Sequence, residues 1–197
     1  MKFFTSLLQQ LGLLKKKVNV LMVGLDNSGK TTLINNFSAE KISPIDVVPT
    51  VGFTISQFNK KNVHITCFDM SGQGKYRDLW EHYYNDTDAI IFVVDLSDKL
   101  RCCVARDELE IMLANNGSNF FKMFKVNSFK KIALKEKRVP ILFFGNKSDL
   151  PDIMEPAECS QILGLENIKN HNCSCNALTG EGLESGMGWL IHTLENE

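Results

Sequence analysis

The chain has 197 residues, 44% of them hydrophobic and 23% charged, with a formal net charge of −1. That length suits one domain with a full core, and so neutral a balance excludes a global electrostatic field for nucleic acid. Its six cysteines show no paired CxxC spacing of a zinc site and read as reduced thiols of a cytoplasmic protein.

At the amino end, Phe3, Phe4, Leu7, Leu8, Leu11 and Leu14 recur at helical spacing, opposite Thr5, Ser6, Gln9 and Gln10. Gln9-Gln10 interrupt the apolar run, Lys15 to Lys17 close it, and no small-residue cleavage site follows, which argues against a secretory leader. No later segment approaches the roughly 20 apolar residues of a membrane span. Residues 1–17 therefore read as an amphipathic helix with a basic linker. It either packs on the protein's own core or lies in a bilayer surface. Periodicity alone leaves both open.

Residues 18–197 read as one domain in which strand and helix alternate. Val18 to Gly24 has the pattern of a buried strand, and Lys30 to Phe37 that of a helix. Val51 to Phe58 and Val63 to Asp69 form a hairpin around Asn59-Lys60-Lys61-Asn62. Ala89 to Asp95 and Pro140 to Gly145 are short apolar runs of the kind buried in parallel sheets. Helical stretches fall near 101–114, 156–163 and 181–195. Six strands with crossover helices give a doubly wound α/β domain: a mostly parallel sheet with helices on both faces. Between Asn115 and Arg138 runs a basic stretch, in which Phe120, Phe121, Phe124 and Phe129 interleave with lysines. It reads as a helical or mobile insertion, or more sharply as a contact for an anionic membrane or partner.

The first chemical motif is Gly24-Leu25-Asp26-Asn27-Ser28-Gly29-Lys30-Thr31. It matches G-x-x-x-x-G-K-[ST] between an apolar strand and a helix, the setting of a P-loop. Glycines let the backbone wrap phosphates without Cβ clashes, and N–H groups then face the anion. Gly24, Asp26, Asn27, Ser28, Gly29, Lys30, Thr31 and Thr32 are the candidate phosphate contacts. Lys30 would reach the β- and γ-phosphates, and the Thr31 hydroxyl would ligate Mg²⁺.

A P-loop alone does not choose between ATP and GTP. Asn146-Lys147-Ser148-Asp149, directly after an apolar strand, does. The Asp149 carboxylate accepts hydrogen bonds only, so it can pair with N1–H and the exocyclic amine of guanine. Adenine offers an unprotonated N1 and would leave that carboxylate unpaired. The Lys147 stem can cover the base. The motif Asp69-Met70-Ser71-Gly72-Gln73 closes the hairpin. Asp69 is placed to hold Mg²⁺ through a water, Gly72 to give its N–H to a γ-phosphate, and Gln73 to orient the attacking water. Thr50 is the candidate second hydroxyl for Mg²⁺. The expected cofactors are GTP, GDP and Mg²⁺.

With these motifs in hand, the chain resembles the Arf family of small GTPases. The likeness rests on Gly24 to Thr31, on Pro49-Thr50-Val51-Gly52-Phe53, and on Gln73-Gly74-Lys75-Tyr76-Arg77 leading to Leu79-Trp80. Ser71, where most of the family carries glycine, and Glu81-His82-Tyr83-Tyr84 narrow it to the ciliary Arf-like branch. The resemblance covers nearly the whole chain except about 115–138. It implies the small GTPase fold and an N-terminal helix released to membrane when GTP binds. It also implies an exchange factor, an activating protein and recruitment of the Bardet–Biedl-syndrome coat complex at the cilium base. An Arf-like switch in Golgi or endosomal traffic is the alternative. Asn146 resembles the residue that ties its loop to the P-loop. Cys173-Ser174-Cys175 resembles the loop whose backbone N–H meets the guanine oxygen, with Cys173 and Ser174 as candidate contacts and serine where the family usually has alanine.

Further expectations follow. Lys2 replaces the glycine needed for N-myristoylation, so membrane binding would rest on the helix and Lys15 to Lys17 and be weak and reversible. Asp26 stands where faster GTPases carry glycine, so intrinsic hydrolysis should be very slow. The protein is then either a cycling GTPase or a GTP-responsive adaptor whose hydrolysis hardly matters. It is expected to be a monomer without nucleic-acid partners. Trp80, Tyr83 and Tyr84 would either anchor a partner or, for Trp80, pack inside under the second switch.

Overall fold

The computed structural model describes residues 14–37, 47–115, 139–167 and 170–196. The proposed N-terminal helix and nearly all of the basic insertion lie outside them. The strands are β1 (Lys16–Val23), β2 (Phe53–Lys60), β3 (Val63–Met70), β4 (Ala89–Asp95), β5 (Ile141–Asn146) and β6 (Asn170–Ser174). The α-helices are α1 (Lys30–Asn35), α2 (Cys102–Asn115), α3 (Pro156–Ile162) and α4 (Leu183–Asn196). A run of 3-10 turns spans Gly74–Asp86.

The sheet order is β2-β3-β1-β4-β5-β6. Only β2 is antiparallel, to β3; the other pairs are parallel. β1 therefore has β3 on one side and β4 on the other, so the chain leaves the sheet in opposite directions around it. Such a reversal opens a crevice at the carboxyl ends of the strands, where α/β sheets bind ligands. Gly24, Asp69, Asp95, Asn146 and Ser174 all sit at or just past those ends.

Both faces of the central strands are covered, which explains their continuous apolar runs. On one face Val20, Met22, Ile91, Val93 and Phe144 pack under Leu33 and Ile34 of α1 and Met187, Leu190 and Ile191 of α4. On the other, Leu21, Val23, Phe92, Val94 and Phe143 meet Ala105, Leu109 and Met112 of α2 and Trp80 of the 3-10 run. The alternation follows from the pleat, which sends successive side chains to opposite faces. Cys67, Cys102, Cys103, Cys159 and Cys175 are free thiols.

α4 lies so close to β5 that a Cβ on Gly186 would fall 2.7 Å from two ring carbons of Phe144. Gly186→Val should overpack this seam and cost about 1–3 kcal/mol, read as a lower urea midpoint at unchanged slope.

The boundaries differ from expectation at several places: β1 begins at Lys16 rather than Val18 and β2 at Phe53 rather than Val51, and two further differences have a visible cause. The helix after the P-loop stops at Asn35, where the Asn36 side chain donates to the carbonyl of Ala177 at 2.5 Å and draws the chain toward the loop after β6. The hairpin turn is Lys61-Asn62 rather than four residues, because Lys60 still pairs with Val63 and Lys61 takes a φ of 49°. Polar Asn59 and Lys60 look like turn residues but lie on an exposed edge strand, where solvent accepts them.

Candidate nucleotide-binding site

The loop between β1 and α1 is shaped by close approach. Gly24 has φ 140°, and a Cβ there would lie 2.2 Å from the carbonyl oxygen of Val93. Gly29 has φ 91°, and a Cβ there would meet the Asn146 amide nitrogen at 2.2 Å. Both positions require glycine on steric grounds as well as by dihedral angle. Asn27 takes φ 62° between them, and Ser28 is buried.

Lys30 is buried inside this loop. Its ammonium donates to the carbonyls of Gly24 at 2.9 Å and Leu25 at 2.7 Å. Burial pushes its pKa down to about 8, opposed by Asp69 and Asp26 and assisted by Arg77. A cation held at a loss of hydration favours an arriving anion.

Next to it, Thr31 Oγ1 donates to Asp69 Oδ2 at 2.6 Å and lies 3.1 Å from Thr50 Oγ1. Thr50 comes from the segment before β2, Asp69 from the end of β3, and Thr31 from α1, so three elements converge. Asp69 Oδ1 is buried and has no hydrogen-bond partner. Burial raises the pKa of Asp69, while the threonine hydroxyls and Lys30 lower it. Two hydroxyls and a carboxylate with one orphaned oxygen suit a hard divalent cation that keeps waters and shares phosphate oxygens. Among the described residues no cluster of three or more His, Cys, Asp or Glu could hold a metal. A mostly hydroxyl site of this kind is compatible with that.

On the far side, Asn146 joins three loops. Its amide nitrogen donates to the Ser28 carbonyl at 2.8 Å, and its amide oxygen accepts from Ala177 N–H at 2.9 Å. Lys147, at φ 65°, pairs with Asp95 Oδ2 at 2.5 Å, and Asp95 also accepts from the Ser97 N–H and hydroxyl. Asp149 is exposed at the tip of this turn, which the Leu150 N–H closes on the Lys147 carbonyl at 3.2 Å. Cys173 and Ser174 end β6 beside Phe144 and Gly145, and Cys175 N–H continues the contact to the Gly145 carbonyl at 2.8 Å. Sequence reasoning missed Asp95. Its signal was an acid at the end of a buried parallel strand, as Asp69 is next to last in β3.

Gly72 lies directly on the P-loop: a Cβ there would fall 2.2 Å from both Asp26 N and Leu25 C. Gln73 is half-buried, and its N–H reaches Ser71 Oγ at 3.4 Å. Thr32 is half-buried on α1, and its carbonyl accepts from Asn36 at 3.1 Å. Of the two readings of Trp80 the structure supports the inward one, and it corrects the reading of Tyr84 as a surface anchor. Trp80 is 2% exposed and Tyr84 7%. Trp80 Nε1 donates to the Ser71 carbonyl at 3.0 Å, so the indole is held inward by a bond as well as by its apolar surface. Tyr83 is half-buried against Phe53 and Phe68.

The model of the ADP-ribosylation factor family matches residues 4–194. The chain belongs to the Arf family of small GTPases. It is 47% identical over 193 residues to ADP-ribosylation factor-like protein 6 of Danio rerio, covering 96% of this chain and 95% of that protein. The Caenorhabditis elegans protein of the same name is 36% identical over 193 residues, covering 96% of this chain and 93% of that one. Among solved structures, the Arl6 BBS3 small GTPase of Trypanosoma brucei with bound GppNp superposes with a TM-score of 0.75 at 38% identity. That match covers 92% of this chain and 99% of that one. The Arf protein described here is therefore a guanine-nucleotide-binding GTP hydrolase.

Proposed function

We propose that this Arf-like GTPase is a Mg²⁺-dependent switch whose GTP form joins membrane and recruits a coat of the Bardet–Biedl-syndrome type for ciliary traffic. The observation that carries the switch reading is the convergence of Thr31, Thr50 and Asp69, which bonds Thr31 to Asp69 Oδ2 and leaves Asp69 Oδ1 without a partner. A cation there, when bound, neutralises charge on the phosphates. Thr31 and Thr50 would hold it by their hydroxyls and Asp69 through a water. Because Thr50 belongs to the loop before β2, its hold on the cation would order that loop when a third phosphate is present.

The remaining roles follow from position. Gly24, Asp26, Asn27, Ser28, Gly29, Lys30, Thr31 and Thr32 cradle phosphates; Gly72 N–H meets the γ-phosphate; Gln73 orients water. Asn146, Lys147, Asp149, Cys173 and Ser174 form the base pocket, with Asp149 choosing guanine. An exchange factor and an activating protein would drive the cycle. The ciliary reading is supported by the names of the relatives and of the solved structure.

Lys30 gives this reading a pH signature. In the nucleotide-free protein its pKa is about 8, and phosphates beside it restore the charged form. Binding therefore takes up a proton above pH 8 and none at pH 7, so GDP affinity should fall as pH rises past 8 by up to about tenfold per unit. Titration calorimetry in two buffers of different ionisation enthalpy, at pH 7 and 9, counts that proton.

For the partner, a Gln73→Leu bait loaded with GTP should retrieve Bardet–Biedl-syndrome coat subunits from ciliated cells of the same organism. A Thr31→Asn bait should not. Retrieval of a different effector by the GTP-loaded bait would refute the ciliary assignment and leave the GTPase intact.

A further inference from the structure

We infer that Arg77 is a positioning residue for GTP hydrolysis, fixing the Gly72–Gln73 peptide on the P-loop by gripping three segments at once. Its Nε donates to the Gly72 carbonyl at 2.8 Å, its Nη1 pairs with Glu108 of α2 at 2.8 Å, and its Nη2 lies 3.6 Å from Asp26 Oδ1 on the P-loop. The Arg77 side chain is only 16% exposed. A planar fork with five donors can meet three acceptors in three directions; a lysine ammonium on a flexible stem cannot hold the same geometry.

The grip on Asp26 is shared. Its other oxygen, Oδ2, pairs with Arg101 Nη1 at 3.2 Å, and Arg101 is itself pinned by Asp98 at 2.5 Å. Two cations thus hold the Asp26 carboxylate, and one of them also holds the peptide that precedes the Gln73 side chain. The rest of that segment is bonded as well. Ser71 N–H donates to the Gly52 carbonyl at 2.9 Å, and Trp80 holds the Ser71 carbonyl. With the Gly72 carbonyl fixed, the Gly72–Gln73 peptide plane and the Cα of Gln73 are fixed too.

The consequence concerns the step in which a water oxygen bonds to the γ-phosphorus while the bond to the β–γ bridging oxygen breaks. GDP leaves, and the water's proton passes to the released phosphate. Orientation of that water by Gln73 depends on where the Gln73 backbone sits, and a misplacement of about 1 Å can cost up to a hundredfold in rate. With Nε, Nη1 and Nη2 engaged by Gly72, Glu108 and Asp26, Arg77 would act on the water through Gln73. The inference rests on the reading of Gln73 given above.

A double-mutant cycle on the full chain tests it. Single-turnover hydrolysis of Mg²⁺·GTP is followed for wild type, Arg77→Gln, Gln73→Leu and the double variant. Arg77→Gln should slow wild type about tenfold or more and should change the Gln73→Leu background less than about twofold. Arg77→Lys should not restore the rate. Equal slowing in both backgrounds, or no slowing in wild type, overturns the inference. If Gln73→Leu alone hydrolyses like wild type, the Gln73 assignment falls and this inference with it. The GDP dissociation rate and urea midpoint of the GDP form report folding. If Arg77→Gln fails there, Glu108→Gln, which releases one arm of the fork, replaces it in the same cycle and must show the same dependence on Gln73.

Discussion

Gly72→Ala should leave GDP affinity close to wild type and lower affinity for a non-hydrolysable GTP analogue by at least about a hundredfold, or about 2.7 kcal/mol. The new methyl would lie 2.2 Å from Asp26 N and Leu25 C and 2.6 Å from the Gly24 carbonyl oxygen. These are backbone atoms of a loop whose neighbours are themselves fixed, so no rotamer change relieves the overlap. Residues 71–73 would have to lift away from the P-loop and lose the Arg77 and Gly52 bonds together. Only a ligand that needs the lowered segment suffers, which is the γ-phosphate on the reading above. Fluorescent-nucleotide titration with both ligands decides it. Equal loss for both would mean that the P-loop itself was distorted.

The second large effect is a change of base. Asp149→Asn should cut GTP affinity by at least about a hundredfold and raise affinity for xanthosine nucleotides. Guanine presents two N–H donors, which a carboxylate accepts at both oxygens; an asparagine replaces one acceptor with a donor and faces a donor with it. Xanthine carries a carbonyl in place of the exocyclic amine and restores the match. Because Asp149 is exposed at the tip of its turn, the substitution should not disturb the core. Competition between GDP and xanthosine diphosphate, with urea unfolding as the control, measures both. Unchanged preference for guanine would remove Asp149 from the base pocket.

Much of the site is legible in the sequence because it is local. The P-loop is contiguous, and Asn146 to Asp149 are four neighbours after one strand, so spacing and strand pattern carry them. Arg77, Glu108, Arg101 and Asp95 are different. Each is an ordinary charged residue in its own segment, and its meaning arises only when the sheet order brings β3, β4 and α2 to one crevice. Periodicity cannot supply those pairings. Trp80 shows the limit from the other side. An aromatic residue in a polar stretch fits an interface or a core equally, and the hydrogen bond from its indole to Ser71 decides for the core. The sixth strand was expected without bounds because Asn170–Ser174 is polar and short, and it is defined by pairing with β5 rather than by its own residues.

Asn146 carries a kinetic implication. One side-chain amide braces the phosphate loop through Ser28 and the base loop through Ala177. In the site proposed above, the two ends of the nucleotide would therefore share a single tether. A regulator that pushes only on the turn around Ala177 would also slacken the backbone around the phosphates, without touching them. Departure of the nucleotide should then run as one exponential, with no long-lived stage in which the base is free and the phosphates still held.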